Sequence, residues 1–391
     1  MQRSPKSIEG RPTKPFNSEI LNFFQELSSE LTGLSRTTEG SADAIAFGYW
    51  LRPSNLLAMQ KHFQTVQQLT STQRVPAGTI FHIAPSNVEV LFAYSWAVAT
   101  LCGCVSYVRI STKHTAFTED LIGTIEKVAK RCGLVPSWSF FSSPKDEIDV
   151  TVELARSCDS IVIWGGNETV SNIRKYPRKP DSTEVVFPDR ESIAVINSAV
   201  FDRSTEEELL ALASNLSRDI ASFGQQACSS PKLLCWVGGS PNPQKRGWFF
   251  GRLGFLISER GFSPTSSEVM ARTSYVHRLA ANEDSRVRLA HFDSLLVLES
   301  LDGMVPRLDH PGCGLIIEQT VPSLGELGLF LKPGDQTISQ FGYSPKEWTL
   351  PITEWGTKAP KRIVAIGAAM DFHFVWDGHD LIQEFTRGVS L

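Results

Sequence analysis

The familiar fingerprints of cofactor and hydrolase chemistry are missing from these 391 residues. There is no GxGxxG turn, no Walker A loop, no HExxH pair and no GxSxG elbow. Charge of either sign is in little excess: 38 Lys and Arg against 42 Asp and Glu leave a net −4, which excludes a broad basic field for nucleic acid. Internal repeats and low-complexity tracts are absent as well. The opening MQRSPKSIEGRPTKPF lacks the apolar run of a secretory signal, so residues 1–16 are expected to be a mobile lead-in and the protein cytoplasmic. The seven cysteines are Cys102, Cys104, Cys132, Cys158, Cys228, Cys235 and Cys313, an odd number at irregular spacing. A disulfide framework is not expected, and Cys102 with Cys104 lacks the second ligand pair of a zinc site. The expectation is reduced thiols and no metal.

One long uncharged run exists. Val90 to Val108, VLFAYSWAVATLCGCVSYV, has the length of a membrane span but is broken by Cys102-Gly103-Cys104. It reads as a buried helix, a tight turn and a buried strand, so no membrane span is expected.

Beyond that run the pattern alternates. FNSEILNFFQELSSEL and SNLLAMQKHFQTVQQL carry apolar residues at helical spacing within 17–70. Strands are expected in VPAGTIFHIAP, at 105–110, at 138–141 and in DSIVIWGG, with helices near 88–101, 117–132 and 148–157 between them. Such alternation predicts an α/β fold with a parallel sheet covered on both faces. STEEELLALASNLSRDIASF is a long amphipathic helix in which Ser204 and Glu207 suit a capping box. Further strands are expected at 232–239, 291–300, 312–321 and 361–369. The expected organisation is 17–201 as a first domain, 202–335 as a second, and 336–391 returning to the first. The stretch 336–360 gives no clear pattern.

Ligands of parallel sheets bind at the carboxyl ends of strands, which singles out APSN (84–87), RIST (109–112) and WGGN (164–167). Asn87 could be a helix cap or an amide aimed at an oxyanion. Arg109 could be a surface charge or a phosphate or ribose contact. Gly165 and Gly166 after Trp164 could admit a ligand close to the backbone or form a plain turn. Cys228, in FGQQACSSP between a helix and a strand, could pack or act as a nucleophile. His82 on an apolar strand reads as a core histidine, and Trp376-Asp377-Gly378 as a turn.

Four segments carry a resemblance: FHIAPSNVEVLFAYSWAVATLCGCVSYVRIS, DSIVIWGGNETV, DIASFGQQACSSPKLLCW and KRIVAIGAAMDFHFVWDGHDLIQEFTRGVSL. In this order, with FGYWLRPSNL before them, they resemble the acyl-CoA reductase family typified by the bacterial bioluminescence fatty-acyl reductase, a branch of the aldehyde dehydrogenase superfamily. The resemblance implies a Rossmann-type NAD(P)-binding domain, an α/β catalytic domain and an active site at their interface. It implies Cys228 as nucleophile and Asn87 as partner of the Cys228 N–H in the oxyanion hole. Arg109, followed by Ser111, stands where the superfamily usually has a lysine at the adenosine ribose. Trp164, Gly165 and Gly166 stand at the expected cofactor turn.

Two departures shape the expected reaction. Arginine at 109 is not equivalent to lysine and favours a 2′-phosphate, so NADPH is expected, with NADH as the other cofactor. The stretch VVFPDRES (185–192) lacks the Glu-Leu-Gly-Gly with which the hydrolytic members activate water; Glu191 falls at the wrong place. The resemblance therefore implies reduction of an acyl thioester, on CoA or a carrier, to the aldehyde through an acyl-Cys228 intermediate. An acyl-activating ligase and a homo-oligomer are the partners it suggests. The alternatives are an acyltransferase or thioesterase that uses Cys228 without a nicotinamide, and a non-catalytic partner subunit that keeps the fold. Glu318 and Gln319 lie in the region of the superfamily's cofactor-contacting glutamate without matching it.

Overall fold

A computed structural model describes residues 2–34, 41–85, 88–144, 148–281, 287–301 and 307–390. The chain divides into two compact units, Met1–Asp189 with Phe372–Leu391, and Arg190–Asp371.

In the first unit, α1 (Ser18–Thr32) starts where the Asn17 side chain accepts from the Ile20 N–H. It buries the stripe Ile20, Phe23, Phe24, Leu27 and Leu31, whose spacing made it legible as a helix. The helices α2 (Ser41–Trp50) and α3 (Pro53–Thr70) follow. Next come β1 (Gln73–Pro76), β2 (Thr79–Ile83), α4 (Leu91–Leu101), β3 (Val105–Ile110), α5 (Ala116–Arg131) and β4 (Trp138–Ser142). The run ends with α6 (Ile148–Ser157), β5 (Ser160–Trp164), α7 (Asn167–Ile173) and β6 (Thr183–Phe187). The sheet is parallel in the order β4-β3-β2-β5-β6. The chain leaves β2 toward β3 and β4 on one side and then crosses to β5 and β6 on the other. The edge between β2 and β5 is therefore the topological switch point.

The uncharged run 90–108 splits into α4, buried on every side, and β3. Gly103 makes the turn at φ +77, and a Cβ there would fall 2.0 Å from the Thr13 carbonyl oxygen. Among the described residues no helix is long and apolar enough to cross a membrane. The lead-in is not loose. Thr13 N–H donates to Gly103 O, Ser142 N–H donates to Gln2 O, and Lys6 N–H donates to Ser139 Oγ. These bonds lay residues 2–16 along the first unit, since each satisfies a backbone group that would otherwise stay unpaired.

The second unit opens with β7 (Glu191–Asn197), α8 (Ser198–Arg203), α9 (Glu206–Ala221) and β8 (Pro231–Val237). It continues through α10 (Pro243–Glu259), α11 (Ser266–Ala280), β9 (Val287–Phe292), β10 (Leu295–Ser300) and β11 (Leu315–Val321). It closes with β12 (Asp335–Phe341), α12 (Pro345–Trp355) and β13 (Arg362–Ala365). The sheet order is β13-β12-β7-β8-β11-β10-β9, parallel except for the β9–β10 hairpin. Both faces are covered, one core centred on Val195, Leu233 and Ile317, the other on Leu234, Trp236, Phe249 and Ile316.

The boundary falls at Arg190 rather than after residue 201, because β7 pairs with β8 and β12. For the same reason 336–371 stays with the second unit: β12 and β13 extend its sheet, and only the last twenty or so residues return. The cap of α9 is one residue later than the sequence suggests, with Thr205 and Glu208 exchanging hydrogen bonds. The tail forms a hairpin of β14 (Val375–Trp376) and β15 (His379–Asp380), then α13 (Leu381–Glu384) and β16 (Thr386–Val389). Asp377 and Gly378 make the hairpin turn with φ of 53° and 83°, and β16 pairs antiparallel with β1.

Candidate active site

The chain leaves α9 through Ser222–Gln225, where Phe223, Gly224 and Gln225 all have positive φ, at 52°, 61° and 63°. Two non-glycine residues in the left-handed region need compensation. Gln225 supplies it. Its buried side chain accepts from Gly314 N–H at 2.8 Å and donates to Pro231 O and Leu315 O, both at 2.9 Å. It thus brackets the loop to the starts of β8 and β11. Gln226 donates to Pro311 O at 2.8 Å. The Cys228 carbonyl accepts from Ser192 Oγ at 2.7 Å, Ser230 N–H donates to Ala227 O, and Ser229 Oγ donates to the Met370 sulfur at 3.5 Å. The glutamines and serines flanking Cys228 are the fasteners of a rigid loop.

Cys228 is partly exposed, whereas Cys102, Cys104, Cys158, Cys235 and Cys313 are buried. Burial pushes the thiols of Cys104, Cys158 and Cys235 up to about 12 and that of Cys102 well above its ordinary range. These are packing thiols. Cys132 is the other partly exposed cysteine, at the end of α5, and burial raises its thiol too.

Around the starts of β7, β8 and β12 lies an ionic network. Arg307, almost wholly buried, donates to both carboxylate oxygens of Asp335 at 2.7 and 2.8 Å. Glu191 lies 3.5 Å from Arg307 and 3.8 Å from Lys232. Glu191 is thus committed to cations, which fits its reading as no water-activating base. Glu318 is likewise committed: its buried carboxylate accepts from the Trp236 indole and pairs with Arg246. Nothing in the sequence alone linked Glu318 to Arg246, seventy-odd positions away.

In the first unit the expected residues sit at the carboxyl ends of the strands. Arg109, near the end of β3, is half-buried; one terminal nitrogen donates to Ser143 O and Pro144 O at 3.3 and 3.1 Å. Desolvation lowers its pKa from the ordinary value. Ser111 uses its hydroxyl to accept from Lys113 N–H and shapes the turn. Trp164 is buried, its ring stacked on Phe187 at 3.8 Å, so the group it presents at the sheet edge is backbone. Its indole N–H finds no acceptor among the described residues. Gly165 packs against Thr169, and a Cβ on Gly166 would meet the Asp189 carboxylate at 2.9 Å. Asp189 accepts from Asn167 N–H, also at 2.9 Å. Asn87 falls outside the described residues. His82 is wholly buried, between the hydroxyls of Ser95 and Ser106, and burial lowers its pKa to about 3. It is a core histidine.

Whether this edge fits a dinucleotide can be judged residue by residue. The switch point and the Arg109 guanidinium, with nitrogens beyond the one bound to carbonyls, fit. The turn at Gly166 and Asn167 does not suit a phosphate, because a carboxylate already holds the N–H there. A cofactor would be held by Arg109 and strand-end backbone rather than by that turn.

Comparison with known proteins agrees with this architecture. Residues 57–243 match the family model described as acyl-CoA reductase (LuxC). No curated protein matches the chain. Among solved structures, the NADP-dependent glyceraldehyde-3-phosphate dehydrogenase from Bacillus halodurans aligns with TM-score 0.64 at 12% identity, over 97% of this chain and 87% of that one. An NAD-dependent benzaldehyde dehydrogenase from Corynebacterium glutamicum aligns with TM-score 0.65 at 11% identity, over 96% and 85%. An indole-3-acetaldehyde dehydrogenase complexed with NAD+ gives 0.64 at 12%, over 95% and 82%. At such identities the structures speak for the fold alone. With the family match over 57–243, they bear out the resemblance seen in the sequence: the protein is an oxidoreductase similar over that stretch to the LuxC acyl-CoA reductases, on the aldehyde dehydrogenase fold.

Proposed function

We propose that the protein reduces an acyl thioester, on CoA or a carrier, to the aldehyde, using Cys228 as nucleophile and NADPH as reductant. The observation that carries this reading is the loop at Cys228: a partly exposed thiol on a backbone pinned by Ser192 and Gln225, while most other cysteines are buried. Fixing a nucleophile in place removes the entropy cost of aiming it. The Cys228 thiolate adds to the thioester carbonyl and the carrier thiolate leaves, taking a proton. The Cys228 N–H, with Asn87 as the donor the resemblance names, stabilises the oxyanion; such donors are worth about 3 kcal/mol each. A bound nicotinamide supplies the hydride that reduces the acyl group. The resulting thiohemiacetal on Cys228 collapses to aldehyde and regenerates the thiolate. Commitment of Glu191 to Arg307 and Lys232 leaves no carboxylate at that position to activate water, which protects the acyl-enzyme from hydrolysis.

Support for a nicotinamide comes from the family match and from relatives whose structures carry NADP or NAD+. Support for NADPH rests on Arg109. The test is oxidation of NADPH and NADH with a panel of acyl-CoA esters, with aldehyde identified as product, for the wild type and Cys228→Ala. Turnover abolished by the substitution supports the reading. Turnover that survives it overturns the mechanism, and thiol release from acyl-CoA without aldehyde moves the protein to acyl transfer.

A further inference from the structure

We propose that the second unit binds a phosphate group that keeps one proton, at the amino ends of β7, β8 and β12. Two irregularities in the sheet shape the place. Between β7 and β8, Pro231 faces Ser192 and Leu233 faces Ile193, so Lys232 is an extra residue. Between β7 and β12, Asp335 faces Glu191 and Thr337 faces Ser192, so Gln336 is extra. Bulges on both sides of one strand end interrupt the ladder and re-aim side chains.

The ionic network there is paired in charge but not closed in hydrogen bonds. Asp335 is filled: it takes two bonds from Arg307 and one from Lys332 N–H at 2.8 Å. Glu191 is not. Its cations lie 3.5 and 3.8 Å away, beyond good hydrogen-bond length, and its buried Oε2 has no partner among the described residues. Donors are left over as well. Lys332 shares a tight turn with Asp335, whose N–H donates to Lys332 O at 2.9 Å. Its half-buried ammonium interacts with the charges of Arg307, Glu191, Asp335 and Lys232, and among the described residues it has no hydrogen-bond partner. His310 is only 5% exposed and is tied to Arg307 by its N–H, 3.2 Å from Arg307 O. Its Nδ1 accepts from Gly312 N–H at 3.1 Å, so the ring proton sits on Nε2, which finds no acceptor among the described residues. Burial and the charges of Lys232, Arg307 and Lys332 hold the His310 pKa well below its ordinary value, so the ring is a neutral donor at pH 7.

Three cations, Arg307, Lys232 and Lys332, thus share two carboxylates, Glu191 and Asp335. The other charged pair near this loop, Arg278 with Asp309, is closed on itself at 3.3 Å. What the cluster lacks is an anion for the two lysines and His310, and a proton for Glu191. Monohydrogen phosphate offers both: its oxygens accept from Lys232, Lys332 and His310 Nε2, and its P–OH donates to Glu191. Sulfate has no proton at neutral pH and would set its charge against the Glu191 carboxylate, so the same residue that welcomes phosphate rejects it. The side chains of Lys232 and Glu191 are 19% and 24% exposed, which leaves the place open to solvent. The phosphoryl group can come as free phosphate or as a singly protonated monoester such as the phosphate of CoA.

The experiment is calorimetric titration of the full chain with inorganic phosphate at pH 7, and with sulfate at equal ionic strength, for the wild type, Lys332→Gln, Glu191→Gln and the exposed-surface control Lys130→Gln. One phosphate should bind, with sulfate at least about tenfold weaker. Lys332→Gln should weaken phosphate by about tenfold or more, Lys130→Gln should leave it unchanged, and Glu191→Gln should narrow the gap between phosphate and sulfate. Absence of saturable phosphate binding, as when water alone fills the place, overturns the proposal. So does binding that Lys332→Gln leaves unchanged, or sulfate that binds as well as phosphate. Should a variant not fold, the wild type still decides. Phosphate should slow acetic anhydride labelling of Lys232 and Lys332, read by peptide mass, and equal labelling with and without it overturns the site. Displacement of phosphate by CoA names the carrier as the source, and no displacement names free phosphate. No turnover enters these measurements, and their failure leaves the reading of Cys228 untouched.

Discussion

In the proposed mechanism Cys228, Asn87 and Arg109 have separable roles, and single substitutions should separate them. Cys228→Ala is expected to abolish acyl thioester reduction while leaving the thermal midpoint within a few degrees, since the loop is held by Gln225 and Ser192 rather than by the sulfur. Asn87→Ala should lower kcat by about 10² to 10³, the usual loss for one oxyanion donor, with little change in KM. Arg109→Gln should raise KM for NADPH by about tenfold or more and leave that for NADH nearly unchanged, as measured by initial rates with each cofactor. Residue types at strand ends marked Asn87, Arg109 and the glycine turn as candidates in the sequence; Arg109 and the turn do lie at strand ends, and Asn87 lies outside the described residues. The contacts that hold the turn, the Cys228 loop and the 366–371 segment were not visible. Asp189 at the Gly166 turn, Ser192 on the Cys228 carbonyl and Asp219 under Gly367 are short-range contacts between residues 22, 36 and 148 positions apart. No local pattern encodes such pairs.

Elements followed hydrophobic pattern where burial is apolar. β3 and α6 fold at the residues the pattern marked, 105–110 and 148–157. β12, DQTISQF, escaped because Asp335, Gln336, Thr337 and Ser339 are polar yet buried. It is held by pairing with β7 and β13 and by the Arg307–Asp335 ion pair, none of which leaves an apolar period. β9 escaped for the opposite reason, being a largely exposed edge strand. The same logic gives a stability test. Arg246→Ala strands the buried Glu318 carboxylate and should cost about 3 kcal/mol in urea unfolding. Adding Glu318→Gln should recover part of that loss, because the stranded charge is then gone. Thr205→Ala, which breaks the capping box of α9, should cost only about 1 kcal/mol.

At the scale of the molecule, buried titratable groups set the acid limit. His82 in the first unit and His310 in the second are both buried, which lowers the pKa of the first to about 3 and of the second well below its ordinary value. Unfolded histidines protonate near 6.5 while these resist, so each contributes stability above that pH that is lost as pH falls toward the folded value. The slope is about 1.4 kcal/mol per pH unit for each. Asp219 works the other way. Burial raises its pKa to about 6 from 3.8, so its contribution is fully present below 3.8 and lost as pH rises through 6. Urea midpoints between pH 4 and 7 should fall less steeply on acidification in His82→Gln than in the wild type. The tail adds a different consequence. Arg74 gives its guanidinium to Gln383 O, Thr386 O and Thr386 Oγ1, and β1 waits for β16 as its partner. The first unit is assembled from both ends of the chain, while the second is one continuous stretch. During synthesis the five-stranded sheet of the first unit emerges before the second unit begins, while β1 stays without its partner until residues 386–389 have followed the whole second unit from the ribosome.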